Sequence, residues 1–141
     1  MKLCLVVVCL MSAVAATADM WTNRLGRAFS AKLIAVDDKG ATFVFTEDGA
    51  TNVLSFSKLS KDSERKVCDI FDFAPVPPRV AATFNRAVSD MKRIRDLRED
   101  GLLTAEKAQE RQAFVMKVFS EICQEKGIAS NVIIRLQKRI R

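Results

Sequence analysis

The chain has 141 residues, 49% hydrophobic and 28% charged, with 23 Lys and Arg against 17 Asp and Glu for a net charge of +6. That length suits one ordinary domain, or a small domain with a helical appendage, and is too short for a large multi-domain enzyme. With no His and no Tyr, histidine-based triads and His-containing zinc sites are excluded outright.

At the amino end, Lys2 precedes an apolar run from Leu3 to Val8 that continues through small residues to Val14. Ala16, Thr17 and Ala18 supply the small-x-small pattern of a signal peptidase site, and Asp19 begins a polar chain. Residues 1–18 are therefore expected to be a signal peptide cut between Ala18 and Asp19, leaving a secreted or periplasmic protein. Two other readings use the same residues. A retained membrane anchor would need roughly 20 apolar residues, more than this stretch offers, and lipid attachment at Cys9 would leave the apolar run continuing past the modified residue. No later segment is apolar enough to span a bilayer, so no stable membrane anchor is expected after cleavage.

Residues 19–70 read as a small β domain. Phe29, Ala31, Leu33 and Ala35 alternate with Ser30 and Lys32 before Ile34 and Val36 make both faces apolar, the pattern of a partly buried strand. A turn at Asp37 to Gly40 leads to a second strand in which Ala41, Phe43 and Phe45 alternate with Thr42, Val44 and Thr46. Asp48-Gly49 then marks a hairpin turn, and Thr51 to Phe56 a third strand. A meander of this size needs closure or a cover. After Ser60 a short helix is expected, and Pro75, Pro77 and Pro78 read as a stiff linker over residues 71–79 rather than as a polyproline ligand.

Residues 80–141 turn helical. Val80, Phe84, Ala87, Met91, Ile94 and Leu97 form one apolar stripe, stopped at Asp100 and Gly101; Thr104 caps a second helix striped by Ala108, Val115, Val118, Phe119 and Ile122. Gly127 ends it, and a short last helix carries Val132, Ile133, Leu136 and Ile140. The terminal cations Arg135, Lys138, Arg139 and Arg141 read as a local basic tail, with no acid in the last ten residues. Such a tail either touches an anionic lipid, glycan or polymer or simply ends a solvated helix. It is not a nucleic-acid-binding face spread over a domain.

Export would remove Cys4 and Cys9, leaving Cys68 and Cys123 in an oxidising space. An even count there favours one internal bridge over two buried thiols or a bond between subunits. The chain-entropy model credits a bridge closing so long a loop with about 4 kcal/mol. The paired carboxylates Asp37-Asp38 and Glu99-Asp100 fall in turns, where solvated turn chemistry is expected rather than acid–base catalysis. No glycine-rich phosphate loop and no Cys-x-x-Cys occurs, so no catalytic residue, metal or cofactor is expected.

Trp21-Thr22, Gly26, Ala31, Gly40, Phe43, Asp48-Gly49 and Lys58-Leu59-Ser60, in that order and spacing, resemble the SLA homology domain, a module similar to a small Src-homology-3-like barrel. The likeness covers Met20 to Cys68 and departs at Ser63, where an acid is usual. In the fungal endocytic adaptor that gives the family its name the module binds short peptides containing Asn-Pro-Phe and an acid; for an exported chain the resemblance implies the fold, and a peptide or protein partner, rather than that ligand. Trp21 is the aromatic that would line such a groove, or else plug the open end of the barrel. In the second half, Ile94, Leu97, Gly101, Leu103 and Thr104 resemble a short two-helix module of bacterial carboxyl ends, associated with interaction and oligomer formation; Lys107 and Ala108 depart from its acid and aromatic.

The expected architecture is α+β: a small Src-homology-3-like β-barrel, then a helical hairpin and a short C-terminal helix. The expected activity is that of an exported, non-catalytic binding or adaptor module for a peptide or protein partner. The alternative is a self-associating structural protein of the cell envelope, a homo-oligomer built through the hairpin. Nucleic acid is not an expected partner.

Overall fold

The computed structural model describes residues 18–141. The leader reading therefore lies outside the described residues, apart from Ala18 and Asp19 at its edge. The architecture is α+β, with a four-stranded antiparallel open sheet followed by four helices. Two compact units divide the described residues, residues 18–73 and Ala74–Arg141.

In the first unit the strands run in sequence order: β1 (Asp19–Thr22), β2 (Ala28–Asp37), β3 (Gly40–Phe45) and β4 (Thr51–Leu54). β1 is one strand more than the meander read from alternation, and it pairs Trp21 with Phe29 and Asp19 with Ala31. Its turn is shaped by Asn23, whose Oδ1 accepts from the N–H groups of Leu25 and Arg27, a local bond that Asn makes readily in turns.

β2 explains its own doubled apolar pattern. Its register against β3 slips between Leu33 and Ala35, so a bulge inserts one residue and reverses which parity faces inward. Phe29, Ala31 and Leu33 face the core before the slip and Val36 after it, while Ile34 is exposed. The alternation predicts two apolar faces; the structure has one face with a phase change.

The two remaining hairpins differ in kind. Asp37 pairs with Gly40 across a two-residue turn, and its carboxylate accepts from the N–H groups of Lys39 and Gly40. Only glycine fits at position 40, because a Cβ there would lie 2.7 Å from the Leu54 carbonyl carbon and nearer still to its oxygen. Asp48-Gly49 sits in a wider loop, in which Gly49 N–H donates to Phe45 O and Phe45 N–H to Ala50 O, both at 2.9 Å; Gly49 takes the left-handed conformation such a loop requires.

After β4 a single 3-10 turn (Phe56–Lys58) brings the chain back toward β1. Asn23 and Leu59 form a bridge, Arg24 N–H donates to Lys58 O at 2.9 Å, and Ser60 N–H donates to Thr22 O at 3.0 Å. Helix α1 (Lys61–Ile70) follows at once, capped by the Ser60 hydroxyl and with Asp62 and Glu64 in its positive first turn. It buries Val67 into a core of Trp21, Ala31, Ala41, Phe43 and Leu59.

The second unit is helical: α2 (Pro78–Glu99), α3 (Ala105–Glu125) and α4 (Ser130–Ile140). Pro78 occupies the first helical position of α2, where a missing N–H costs nothing. Ahead of it, Ala74 is only 2% exposed and Val76 packs against the helical core. α2 and α3 both end with a left-handed glycine, Gly101 and Gly127, whose next residue donates back to the carbonyl five positions earlier (Leu102 to Leu97, Ile128 to Cys123). α1 ends the same way on Asp72, among the described residues the one non-glycine with positive φ. Val80, Phe84, Ala87, Met91, Met116, Phe119, Cys123, Ile133, Leu136 and Ile140 make one apolar core. α2 buries Val80, Phe84, Ala87, Met91 and Ile94 of its expected stripe, whereas α3 buries Ala108, Met116, Phe119 and Cys123 and leaves the expected Val115, Val118 and Ile122 half-buried, because its inward face is turned by about one residue from the stripe read in the sequence.

Candidate groove in the sheet unit

Three stretches that diverge in sequence meet at a groove of about 570 Å³. Asn23, Arg24 and Leu25 come from the β1–β2 turn; Phe29, Phe45 and Leu54 come from β2, β3 and β4; Ser57 and Lys58 come from the 3-10 turn. The floor is aromatic and aliphatic. Phe29 and Phe45 lie 5.5 Å apart, and Phe29 stands edge-on to the buried Phe43 at 5.6 Å, so one wall of the groove is continuous with the core.

The two rims are tied to each other. Asn23 folds its own turn through its side chain, and Arg24 N–H reaches across to the Lys58 carbonyl, so the walls are held by backbone rather than by mobile side chains. Such preorganisation lowers the ordering cost of binding. Leu25, 83% exposed, stands at one rim, and the charged lining residues are both cations, Arg24 and Lys58. Ser57 is engaged with Ser55, hydroxyl to hydroxyl, at 2.9 Å. An apolar floor between cations suits a segment carrying an apolar side chain and a carboxylate; among the lining residues no acid or imidazole stands ready to move a proton.

Trp21 lies elsewhere. It is 1% exposed, packs edge-on against Phe43 at 5.1 Å, and donates its indole N–H to the Ala31 carbonyl at 2.9 Å. The Lys66 ammonium sits 4.3 Å over its ring and 3.5 Å from the Asp19 carboxylate. It does not line the groove: its indole has found both its polar partner and its apolar surroundings in the core of the sheet unit. Asp19 itself is already the first residue of β1.

The other expected site residues fall in both units. Cys68 is buried on α1 and Cys123 in the helical core, and burial pushes the Cys123 thiol above its ordinary pKa. Arg135, Lys138 and Arg139 lie on α4 with Arg141 just beyond it. Of these, the Arg139 guanidinium is packed into the unit: it donates to Ala74 O at 2.9 Å and lies 5.2 Å from the Phe84 ring centre. The basicity is also wider than that helix, since Ala74–Arg141 holds 14 Lys and Arg against 8 Asp and Glu, and residues 18–73 hold 8 against 9.

Among the described residues no three His, Cys, Asp or Glu side chains gather to hold a metal ion, and no helix is long and apolar enough to cross a membrane. Compared with known proteins, the chain matches no family model, no curated sequence and no solved structure.

The groove residues Leu25, Phe29, Phe45 and Leu54 were not separable from core positions by sequence. Apolar alternation marks a side chain as inward; it carries no sign of where the inward face opens.

Proposed function

We propose that this chain is an exported, non-catalytic binding protein whose sheet unit is a Src-homology-3-like barrel of the SLA homology type, taking an extended peptide or protein segment in the groove between Leu25 and Lys58. The observation that carries this reading is the groove itself, an apolar floor between two backbone-tethered rims with Arg24 and Lys58 as its charges. In favour of the barrel are the strand order, the 3-10 turn after β4 and the return of Leu59 to pair with Asn23. Ser63 is consistent with the same pattern. Its hydroxyl accepts the Thr22 N–H at 2.8 Å, a bond that a carboxylate oxygen at this position could equally accept.

The test is a titration of the whole chain with a labelled peptide containing Asn-Pro-Phe and a following acid, read by fluorescence anisotropy. Saturable binding that weakens about tenfold in both Leu25→Ala and Lys58→Glu is expected, since rim and hot-spot losses run to 1.4 kcal/mol and more. No binding, or binding that ignores both substitutions, rejects the groove. Export rests on residues 1–18 alone and is tested by amino-terminal sequencing of the protein recovered from the expressing cell, which should begin at Asp19. The bridge between Cys68 and Cys123 follows from export, and intact mass should then show no alkylation until a reductant is added.

A further inference from the structure

The helical unit carries a second groove, on the side of the α2–α3 hairpin where no α4 residue contributes to the lining. Two adjoining hollows of about 330 and 350 Å³ share Asp90, Phe114 and Val115. Together they run from Leu97 down to Ile122, with an apolar floor that includes Ile94, Val115 and Val118. Phe114 projects at the middle, 67% exposed. Arg86, Arg93 and Arg111 stand along the rim with one acid, Asp90. Among the described residues none of these four makes a side-chain hydrogen bond or ion pair.

We propose that this groove is a docking site for an acidic amphipathic helix of another protein, independent of the peptide groove in the sheet unit. Three observations select that occupant. First, the backbone groups of α2 and α3 at the groove are spent within their own helices, so an extended segment would find no ladder to join, whereas a helix arrives with its own backbone bonds made. Second, a groove between paired helices receives the apolar stripe of a third by ridge-into-groove packing. Third, the rim is cationic, and Arg86 and Arg93 stand two turns apart, about 10 Å along the axis of α2, the spacing of carboxylates at i and i+7 on a facing helix. A second copy of this chain is the weaker fit, because it would bring a unit of 14 cations and 8 acids against another of the same kind.

The experiment uses the whole chain and two labelled helical peptides with Leu at i, i+3 and i+7, one flanked by Glu and the other by Lys. The Glu peptide is expected to bind saturably, to lose about thirtyfold in affinity in Phe114→Glu, the change expected of a central apolar anchor, and to weaken in the double variant Arg86→Glu, Arg93→Glu. The Lys peptide should bind that double variant better than it binds the unaltered chain. Because all three substituted side chains are exposed, the fold should persist, and the double variant carries the test should Phe114→Glu fail to fold. Equal binding of the two peptides, or no effect of either variant, overturns the proposal. So does sedimentation showing a dimer that Phe114→Glu dissolves and the Glu peptide does not displace, which would assign the groove to a second copy.

Discussion

The two units solve the problem of a small core by different means. The helical unit relies on period: residues three and four apart meet on one face, three stripes close on one another, and the core from Val80 to Ile140 is apolar except for one thiol. The sheet unit gathers its core from residues far apart in sequence and places polar groups inside it, the indole N–H of Trp21 on Ala31 and the hydroxyl of Ser63 beneath Thr22. A core of stripes tolerates the loss of a surface bond. A core built around specific hydrogen bonds does not, because each missing partner leaves a buried group unsatisfied.

The harshest way to probe that contrast is Trp21→Ala. Truncating a large buried aromatic typically costs about 3–5 kcal/mol, and here it also removes the indole bond to the Ala31 carbonyl. Hydrogen exchange should show protection lost across β1 to β4 with the amides of α2 and α3 still protected; equal loss in both units would break the comparison. Ser63→Ala is milder, expected to cost about 1–3 kcal/mol by stranding the Thr22 N–H, with Ser63→Asp recovering part of it if the carboxylate takes over as acceptor. The helical counterpart is Thr104→Ala, which removes the hydroxyl that accepts from Lys107 N–H and should cost about 1 kcal/mol, read as a lower melting temperature by calorimetry. A Ser63→Ala cost no larger than that of Thr104→Ala would show the buried polar group to matter no more than an exposed cap.

The smallest effect is one of pH. Burial holds the Cys123 thiol protonated, its pKa raised from 9.0. In reduced protein its contribution is complete below the unfolded thiol's pKa and is lost as pH rises through the higher folded value. Stability should therefore stay level in this respect from pH 6 to 8 and decline in the alkaline range, and Cys123→Ala should remove that decline.

This contrast also accounts for how much could be read in advance. Helical stripes and glycine stops are local, so α2, α3 and α4 were visible in the spacing of Val80, Phe84, Ala87 and Met91 and in Gly101 and Gly127. β2, β3 and β4 were visible through alternation. β1 was not, because a four-residue strand of Asp19, Met20, Trp21 and Thr22 shows no period, and its identity depends on pairing with β2. The bulge at Ile34 left a trace in the doubled apolar pattern but not its cause. The stop of α1 at Asp72 had no glycine to announce it. Trp21 stands out as an aromatic within the resemblance, and aromatic character alone does not say whether a side chain lines a groove or fills the core. The groove depends on how the β1–β2 turn and the 3-10 turn approach, which is a property of the tertiary fold rather than of any one segment.

The burial of Trp21 has a practical consequence for watching these units apart. The chain has one Trp and no Tyr, so its long-wavelength fluorescence comes from a single ring in the sheet unit, while ellipticity at the helix bands is dominated by α2, α3 and α4. Light emitted and light rotated therefore report on different halves of one molecule, and the two signals recorded in one denaturant series would show directly whether the halves melt as one body or as two.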